Sequence, residues 1–346
     1  MDFLAGLAGR SAFWDGTLTV LSFALAAILA HVFTPLAIRI AVDYGLVDRP
    51  DGKLKQHVDP VPYLGGMAVY LAFLLTLAMV YTFNQQVLAL LLAGTIVVLL
   101  GLVDDIGALS PRAKFLGQSL AIIALMKAGI VIEIAFLPWW AAYPLTFIWL
   151  LGITNAFNII DIVDGLSAGV GLIGALALLV VAIINNNLQI AILTATLAGS
   201  LFGVLRYNFD PARIYLGDTG SLFIGLNLGA LAMIGRYTEN NPAAVVVPVV
   251  ILGVPIFDTL FVMYIRRRRG ISMFLGSPDH FALRLRRWAL TKRQTVLLSY
   301  AVAILLAVTG ILVIVLPFSA SITLLLALVL AALVAAYALK KIDMTL

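Results

Sequence analysis

The chain has 346 residues, 63% of them hydrophobic and only 11% charged, with a mean hydropathy of +1.10, far above the roughly 45–50% apolar content of a soluble domain. These values exclude a water-solvated globule and predict an all-α polytopic membrane bundle, a single integral membrane domain over 1–346 with no polar stretch long enough for a second one. There is no cysteine, which excludes disulfides and thiolate chemistry and leaves only oxygen and imidazole as metal ligands.

A spanning helix needs about 20 apolar residues. Runs of that kind predict helices over 17–41, 62–82, 87–103, 114–131, 141–158, 168–184, 188–205, 221–235, 242–265, 295–315 and 319–339, about eleven spans in all. The first run is too long for a signal-peptide core and is followed by no small-residue cleavage site, so it is expected to remain as a helix. Phe83 to Gln86, Asn185 to Asn187, Arg236 to Asn241 and Pro317 to Ser319 are short connections. The other connections hold nearly all the charge: Arg49, Lys53 and Lys55, then Arg112 and Lys114, then Arg206 and Arg213, then Arg266 to Arg293, with Lys340 and Lys341 in the tail. Lys and Arg accumulate in cytoplasmic loops, which predicts an N-terminus outside and a cytoplasmic C-terminus in a bacterial-type inner membrane. The net charge of +5 therefore marks one face of a bilayer and argues against a nucleic-acid partner.

Carboxylates are costly near hydrocarbon and need a reason to be there. Asp104 and Asp105 close the third predicted helix, Asp161 and Asp164 follow the fifth, Asp218 precedes the eighth and Asp258 lies in the ninth, all toward the predicted cytoplasmic face. Asn158, Asp161 and Asp164 are spaced by three, so a continuing helix would present them on one face. That stretch contains no Lys or Arg, and unpaired neighbouring carboxylates repel, so an external cation is the expected partner. Oxygen-only ligation favours Mg²⁺, with Mn²⁺ as the alternative. Gly217 and Gly220 flank Asp218 and Thr219 just before a helix, where free N–H groups favour an anion such as phosphate. Asp43, Asp48, Asp51 and Asp59 share a loop with basic residues and read as surface charges. In the last polar loop, four arginines from Arg266 to Arg269 anchor the ninth span. Phe281 to Trp288 then alternates apolar residues with arginines, as a short interfacial helix does, and those cations suit a diphosphate.

Six motifs, in order from about Asp43 to Arg293, resemble the polyprenyl-phosphate N-acetylhexosamine-1-phosphate transferases. That family holds the GlcNAc-1-phosphate transferases that initiate enterobacterial and teichoic-acid polymers, and the peptidoglycan translocase MraY. The motifs are Leu46 to Pro50, Pro60 to Gly66, the Asp104-Asp105 pair with Lys114, Asn158/Asp161/Asp164 with Gly165-Leu166, Gly217 to Ser221, and Pro278-Asp279-His280. The resemblance implies transfer of a sugar-1-phosphate, GlcNAc-1-phosphate first among the choices, from a UDP-N-acetylhexosamine to a polyprenyl phosphate of the undecaprenyl type. UMP is released, and the step opens cell-envelope glycan synthesis. It implies cytoplasmic active-site loops at about 43–61, 104–114, 158–167, 206–220 and 266–294. Asp218 and Asn158 then match the positions that hold Mg²⁺, and Asp104 and Asp105 the pair near the lipid phosphate, with Lys114 a phosphate contact. Asp161 and Asp164 match nucleotide-side positions, Tyr215 an aromatic stacked on uracil, and His280 a residue of the sugar-recognition loop. Lys55 and Arg284 join the expected substrate contacts, and a homodimer is compatible with this reading. Two departures stand out: Ala282 and Leu283 replace histidines common in relatives, which argues against a MurNAc-pentapeptide donor, and Ile162 replaces a small or polar residue. The rival class is an ion-coupled transporter, whose carboxylates should lie at mid-membrane. A phosphatidyltransferase is disfavoured because its Asp-Gly-x-x-Ala-Arg signature is absent.

Overall fold

The computed structural model describes residues 2–48, 60–81, 83–107, 109–134, 137–235, 237–238, 241–272 and 278–344, with side chains from residue 15 onward. Lys55, and with it Arg49, Lys53, Asp51 and Asp59, lies outside the described residues. The order of elements is α1 (Asp2–Asp43), β1 (Val47–Asp48), β2 (Val61–Pro62), α2 (Gly65–Val80), α3 (Gln85–Gly107), α4 (Pro111–Lys127), α5 (Trp139–Ile160), α6 (Leu166–Ile184), α7 (Leu188–Asn208) and α8 (Gly217–Ile234). A 3-10 turn (Pro242–Val246) leads into α9 (Val247–Ile251), α10 (Gly253–Arg268), α11 (Phe281–Arg287), α12 (Lys292–Val315) and α13 (Phe318–Lys340).

Every predicted apolar run is helical, so the protein is an all-α polytopic membrane protein. The expected count of about eleven spans is not confirmed. Among the described residues, eight helices are long and apolar enough to cross a bilayer, and nine if a bent pair counts as one. The shortfall has physical causes. α2 has 16 residues, too few for about 30 Å of hydrocarbon at about 1.5 Å per residue. α4 has 17 residues and carries Arg112, Lys114 and Lys127. The predicted straight helix over 242–265 is broken, its two parts meeting at 74°. Pro255, in the first turn of α10, has no N–H to offer the carbonyl of Ile251, so the helix cannot run through.

α7 and α8 lie at the centre, each 78% buried over its most apolar window, whereas α13 lies at the periphery, 6% buried. Little hydrophobic drive exists between helices in lipid, so small residues decide how closely backbones approach. A Cβ on Gly66 of α2 would lie 2.1 Å from the Gly220 nitrogen, and one on Gly101 of α3 would lie 2.4 Å from the Thr219 nitrogen. Only glycine lets α2 and α3 press against the first turn of α8. The loop between α1 and α2 closes at its base in a small antiparallel pair, Val47 opposite Pro62 and Asp48 opposite Val61. Tyr215 N–H donates to the Pro62 carbonyl (2.7 Å) and Gly65 N–H to the Tyr215 carbonyl (2.9 Å), which ties the segment before α8 to this pair.

Candidate active site

The C-terminal ends of α1, α3, α5 and α7 and the N-terminal ends of α2, α6, α8 and α12 meet at one end of the bundle. There they enclose a cavity of about 540 Å³ lined by Asp48, Tyr63, Asp105, Asn158, Asp161, Asp164, Asn208, Tyr215 and Asp218, with Leu283, Arg286 and Lys292 on the wall made by α11 and α12.

Asp105, at the last turn of α3, is spent on the start of α8. Asp218 N–H donates to Asp105 Oδ1 (2.7 Å), and the Thr219 N–H and hydroxyl donate to Oδ2 (3.1 and 2.7 Å). The free N–H groups expected to attract a phosphate are thus occupied by a carboxylate of the protein itself, which serves the same need of the helix start. Gly217 makes the approach possible: it has φ +69°, and a Cβ there would lie 2.5 Å from Asp105 Oδ2.

Behind Asp218 sits a second knot. Lys114 reaches from the first turn of α4, donating to Asn158 Oδ1 (3.2 Å) and pairing with Asp104 Oδ2 (2.9 Å) and with Asp218 Oδ2. Asp104 Oδ1 accepts from Leu109 N–H (2.6 Å). Asn158 Nδ2 donates to Asp218 Oδ1 (2.7 Å) and to Ser221 Oγ (2.9 Å). One turn along, Gln118 and Asn155 exchange side-chain hydrogen bonds (2.7 and 3.4 Å) that hold α4 against α5. The absence of basic residues near Asn158 in the sequence is therefore made good by Lys114 from another helix.

The shared helical face expected for Asn158, Asp161 and Asp164 does not form, because α5 ends at Ile160 and the chain turns through Gly165 at φ +81° before α6. The turn nevertheless delivers all three to the cavity. Asp164 Oδ2 accepts from Ala212 N–H (3.3 Å) and faces Lys292 Nζ at 3.4 Å. The Asp161 carboxylate has no hydrogen-bond or ion-pair partner among the described residues. Burial raises its pKa well above the usual carboxylate value, and the charges of Asp218, Asp105 and Asp164 add to the rise. Burial likewise raises the Tyr215 phenol, helped by Asp164, Asp48 and Asp161.

Of the residues expected from sequence, Asp105, Asn158, Asp161, Asp164, Tyr215 and Asp218 line the cavity, with Asp104 and Lys114 directly behind. His280 and Arg284 do not reach it. Both are buried, His280 against Asp258 and Arg284 against Asp279, because burying a histidine or guanidinium requires that its donors be answered by the protein. Asp48, read as a surface charge, is a wall residue instead, carried there by the β1–β2 pair. Lys292, Asn208 and Tyr63 are not among the site residues expected from sequence, whereas Leu283, which stands where relatives carry a histidine, lines the cavity as that position suggests. Lys292 stands next to the Thr291 cap of α12, a position that in sequence reads only as a helix start. Of the α11 arginines the expected substrate contact is Arg284, but Arg286 is the one that lines the cavity.

The cavity wall and the knot together hold Asp48, Asp104, Asp105, Asp161, Asp164 and Asp218 against Lys114, Arg286 and Lys292. Such an excess of carboxylates suits a polyvalent cation. Among the described residues no three His, Asp or Glu side chains form a ready-made metal cage. A cation held at this carboxylate cluster would therefore need substrate phosphates and water to complete its coordination, as Mg²⁺ commonly does. The expected metal oxygens, those of Asp218 and the Asn158 amide, accept from Lys114 in this structure, and Asp218 Oδ1 accepts from Asn158 Nδ2.

Glycosyl transferase family 4 matches residues 87–236, the stretch from α3 through α8 that contains Asp104, Asp105, Lys114, Asn158, Asp161, Asp164 and Asp218. The chain is 34% identical over 304 residues, 84% of its own length and 84% of the other's, to the "Probable undecaprenyl-phosphate N-acetylglucosaminyl 1-phosphate transferase" of Bacillus subtilis. It is 31% identical, over 80% of its own length and 77% of the other's, to a decaprenyl-phosphate N-acetylglucosaminephosphotransferase of Mycolicibacterium smegmatis. To a phospho-N-acetylmuramoyl-pentapeptide-transferase of Halalkalibacterium halodurans it is 30% identical, over 84% of its own length and 95% of the other's. Similarity at this level across nearly the whole chain, centred on the helices that build the cavity, makes this protein a member of the polyprenyl-phosphate N-acetylhexosamine-1-phosphate transferase family.

Proposed function

We propose that the protein transfers an N-acetylhexosamine-1-phosphate, GlcNAc-1-phosphate first among the choices, from a UDP-sugar to a polyprenyl phosphate of the undecaprenyl type, releasing UMP. The observation that carries this reading is one cavity wall that joins Asp218, Asn158 and the Lys114 knot to Tyr215, a phosphate-handling centre beside an aromatic ring. The basic residues of the connecting segments support placing this end of the bundle at the cytoplasmic face of a bacterial inner membrane, with the N-terminus outside. There a soluble nucleotide-sugar and a lipid phosphate can meet.

In this reading an oxygen of the lipid phosphate attacks the phosphorus that bears the sugar, and the bond from that phosphorus to the bridging oxygen breaks as UMP leaves. The nucleophile is already an anion, so the protein's task is alignment and charge neutralisation. Bound Mg²⁺, with Mn²⁺ as a substitute, would neutralise the diphosphate from Asp218 and Asn158. Lys114 holds Asp104, Asn158 and Asp218 in one register. Lys292 and Arg286 face the diphosphate across the cavity, and Tyr215 offers its ring to uracil. Asp105, with both oxygens already accepting hydrogen bonds, acts by positioning α8, and Asp104, engaged by Leu109 N–H and Lys114, acts on the lipid phosphate through that lysine. The transporter reading is not favoured, because these carboxylates sit at helix ends and not at mid-span.

The test is purified protein in lipid nanodiscs with undecaprenyl phosphate, Mg²⁺ and a panel of UDP-sugars. UMP release that depends on both the lipid and the metal is expected, fastest with UDP-GlcNAc. No release with any UDP-N-acetylhexosamine would refute the proposal.

A further inference from the structure

The cavity has one wall that owes nothing to the aspartate centre. α11 is seven residues long, too short to hold its shape alone, and buried polar contacts fasten it on two sides. From α10, Asp258, fully buried, accepts from Phe281 N–H at Oδ1 (2.8 Å) and from His280 Nδ1 at Oδ2 (2.7 Å). It thereby caps the first turn of α11 and orients the imidazole in one stroke. From within the loop, Arg284, 1% exposed, donates through Nη2 to Asp279 Oδ1 (2.7 Å) and through Nε to the Asp279 carbonyl (3.2 Å). Its Nη1 reaches the carbonyls of Leu339 and Ile342 (3.1 and 2.7 Å), where α13 ends. The guanidinium also lies 5.5 Å from the centre of the Phe261 ring, and Arg269 adds a second cation to Asp279 Oδ1 (2.9 Å).

The opposite face of α11 is the functional one. Phe281, Ala282, Arg284 and Leu285 are buried, whereas Leu283 and Arg286, three apart and so on one face, line the cavity. Asp279 Oδ2 is buried without a hydrogen-bond partner, but the Asp258 oxygens and all three guanidinium nitrogens of Arg284 are answered, and such paired buried charges hold a backbone to a narrow range of positions, because moving it would strand them.

We infer that Asp258, Asp279, His280 and Arg284 form a positioning latch that sets donor selectivity through α11, and that Leu283 and Arg286, not His280, are the side chains of this loop that meet the UDP-sugar. The inference rests on the transferase reading above and adds to it the residues that read the donor. It also gives the sparsely packed α13 a part in the site, since its last carbonyls are where Arg284 is anchored.

Steady-state kinetics of the full chain in nanodiscs, varying donor and lipid separately, test it. Arg284→Met and His280→Ala should raise the donor KM about tenfold and alter the ranking among UDP-sugars, with the lipid KM changed less than about twofold. His280→Asn, which keeps a donor for Asp258, should restore most of the wild-type donor KM. Leu283→Ala and Arg286→Gln, which leave the latch intact, should change the ranking directly. Donor affinity measured by calorimetry should follow the donor KM, and Arg284→Lys, which keeps one charged donor, guards against a variant that fails to fold. Equal losses for His280→Asn and His280→Ala would mean that the imidazole itself touches the donor and would overturn the latch. Unchanged selectivity in Leu283→Ala and Arg286→Gln would overturn it too. A wild-type chain that neither binds nor turns over any UDP-sugar would bring down the transferase reading, a result distinct from an active wild type with indifferent variants.

Discussion

The helices that begin on either side of the cavity, α12 and α8, satisfy their first free N–H groups by different means. α12 uses its own neighbours: the Thr291 hydroxyl accepts from Gln294 N–H (3.2 Å) and the Gln294 side chain accepts from Thr291 N–H (2.9 Å), a reciprocal capping box. α8 has no side-chain cap of its own and borrows Asp105 from α3, more than a hundred residues earlier in the chain. A local cap stabilises one helix. A borrowed cap fixes two helices relative to each other, and here the second residue of α8 is Asp218, the proposed metal ligand. The same type of contact is therefore expected to be a stability feature in one place and a functional one in the other.

The sharpest way to break the comparison is Asp105→Ala. Two N–H groups and a hydroxyl lose their acceptor at once, at about 1–3 kcal/mol for each one left buried and unanswered. Asp218 is then free to shift, and misplacement by about 1 Å can cost 100-fold in rate. Turnover should fall at least about 100-fold, measured as UMP release, in protein that still purifies as a folded species. An Asp105→Ala enzyme within tenfold of wild type would mean that the cap is not what places Asp218. Next in size is Gly217→Ala. It forces a side chain into a left-handed conformation at about 1–2 kcal/mol and against the Asp105 carboxylate, so an unfolding midpoint lower by several degrees and a rate loss of about tenfold are expected.

Asp161 provides a subtler test, because no described residue pairs with its carboxylate. Its folded-state pKa is raised, so the folded protein holds the proton more tightly than the unfolded chain, whose pKa is about 3.9. The group therefore opposes folding increasingly as pH rises from about 4 toward its raised value, and fully above that. Asp161→Asn should flatten this decline: thermal midpoints of variant and wild type should be similar near pH 4 and diverge in favour of the variant toward pH 8. Parallel curves would show that the unpaired charge carries no such penalty. The smallest effect belongs to the local cap, where Thr291→Ala should cost about 1 kcal/mol and leave turnover within twofold. A large kinetic loss there would erase the distinction between the two helix starts.

Much of this architecture was legible beforehand, and the reason is the same throughout. Hydropathy is a property of a segment, so each apolar run became a helix, while the bend at Leu252 depended on where Pro255 falls against the chain four residues back. The short α11 followed from its alternation of apolar and basic residues. The borrowed cap on α8 was not legible: Gly217-Asp218-Thr219-Gly220 reads as an open helix start in the sequence, and only contact with α3 shows that Asp105 has taken it. The surface reading of Asp48 failed for a similar reason, since its loop is basic but its base is paired with Pro62 beside Tyr215.

The sequence by itself determined the solvent, the class of fold and the family, because composition and ordered motifs require no knowledge of what touches what. It also singled out the aspartates, since acids at the ends of apolar segments are rare enough to mark a site. Which aspartate is spent on a backbone, which is paired and which is left bare was decided only by tertiary structure. That assignment depends on cations and N–H groups brought from distant helices, Lys114 to Asp218 and Lys292 to Asp164. The same holds for His280 and Arg284: a motif marks them as polar residues near a site, but the side on which α11 is fastened turns them into its anchors and leaves Leu283 and Arg286 facing the cavity.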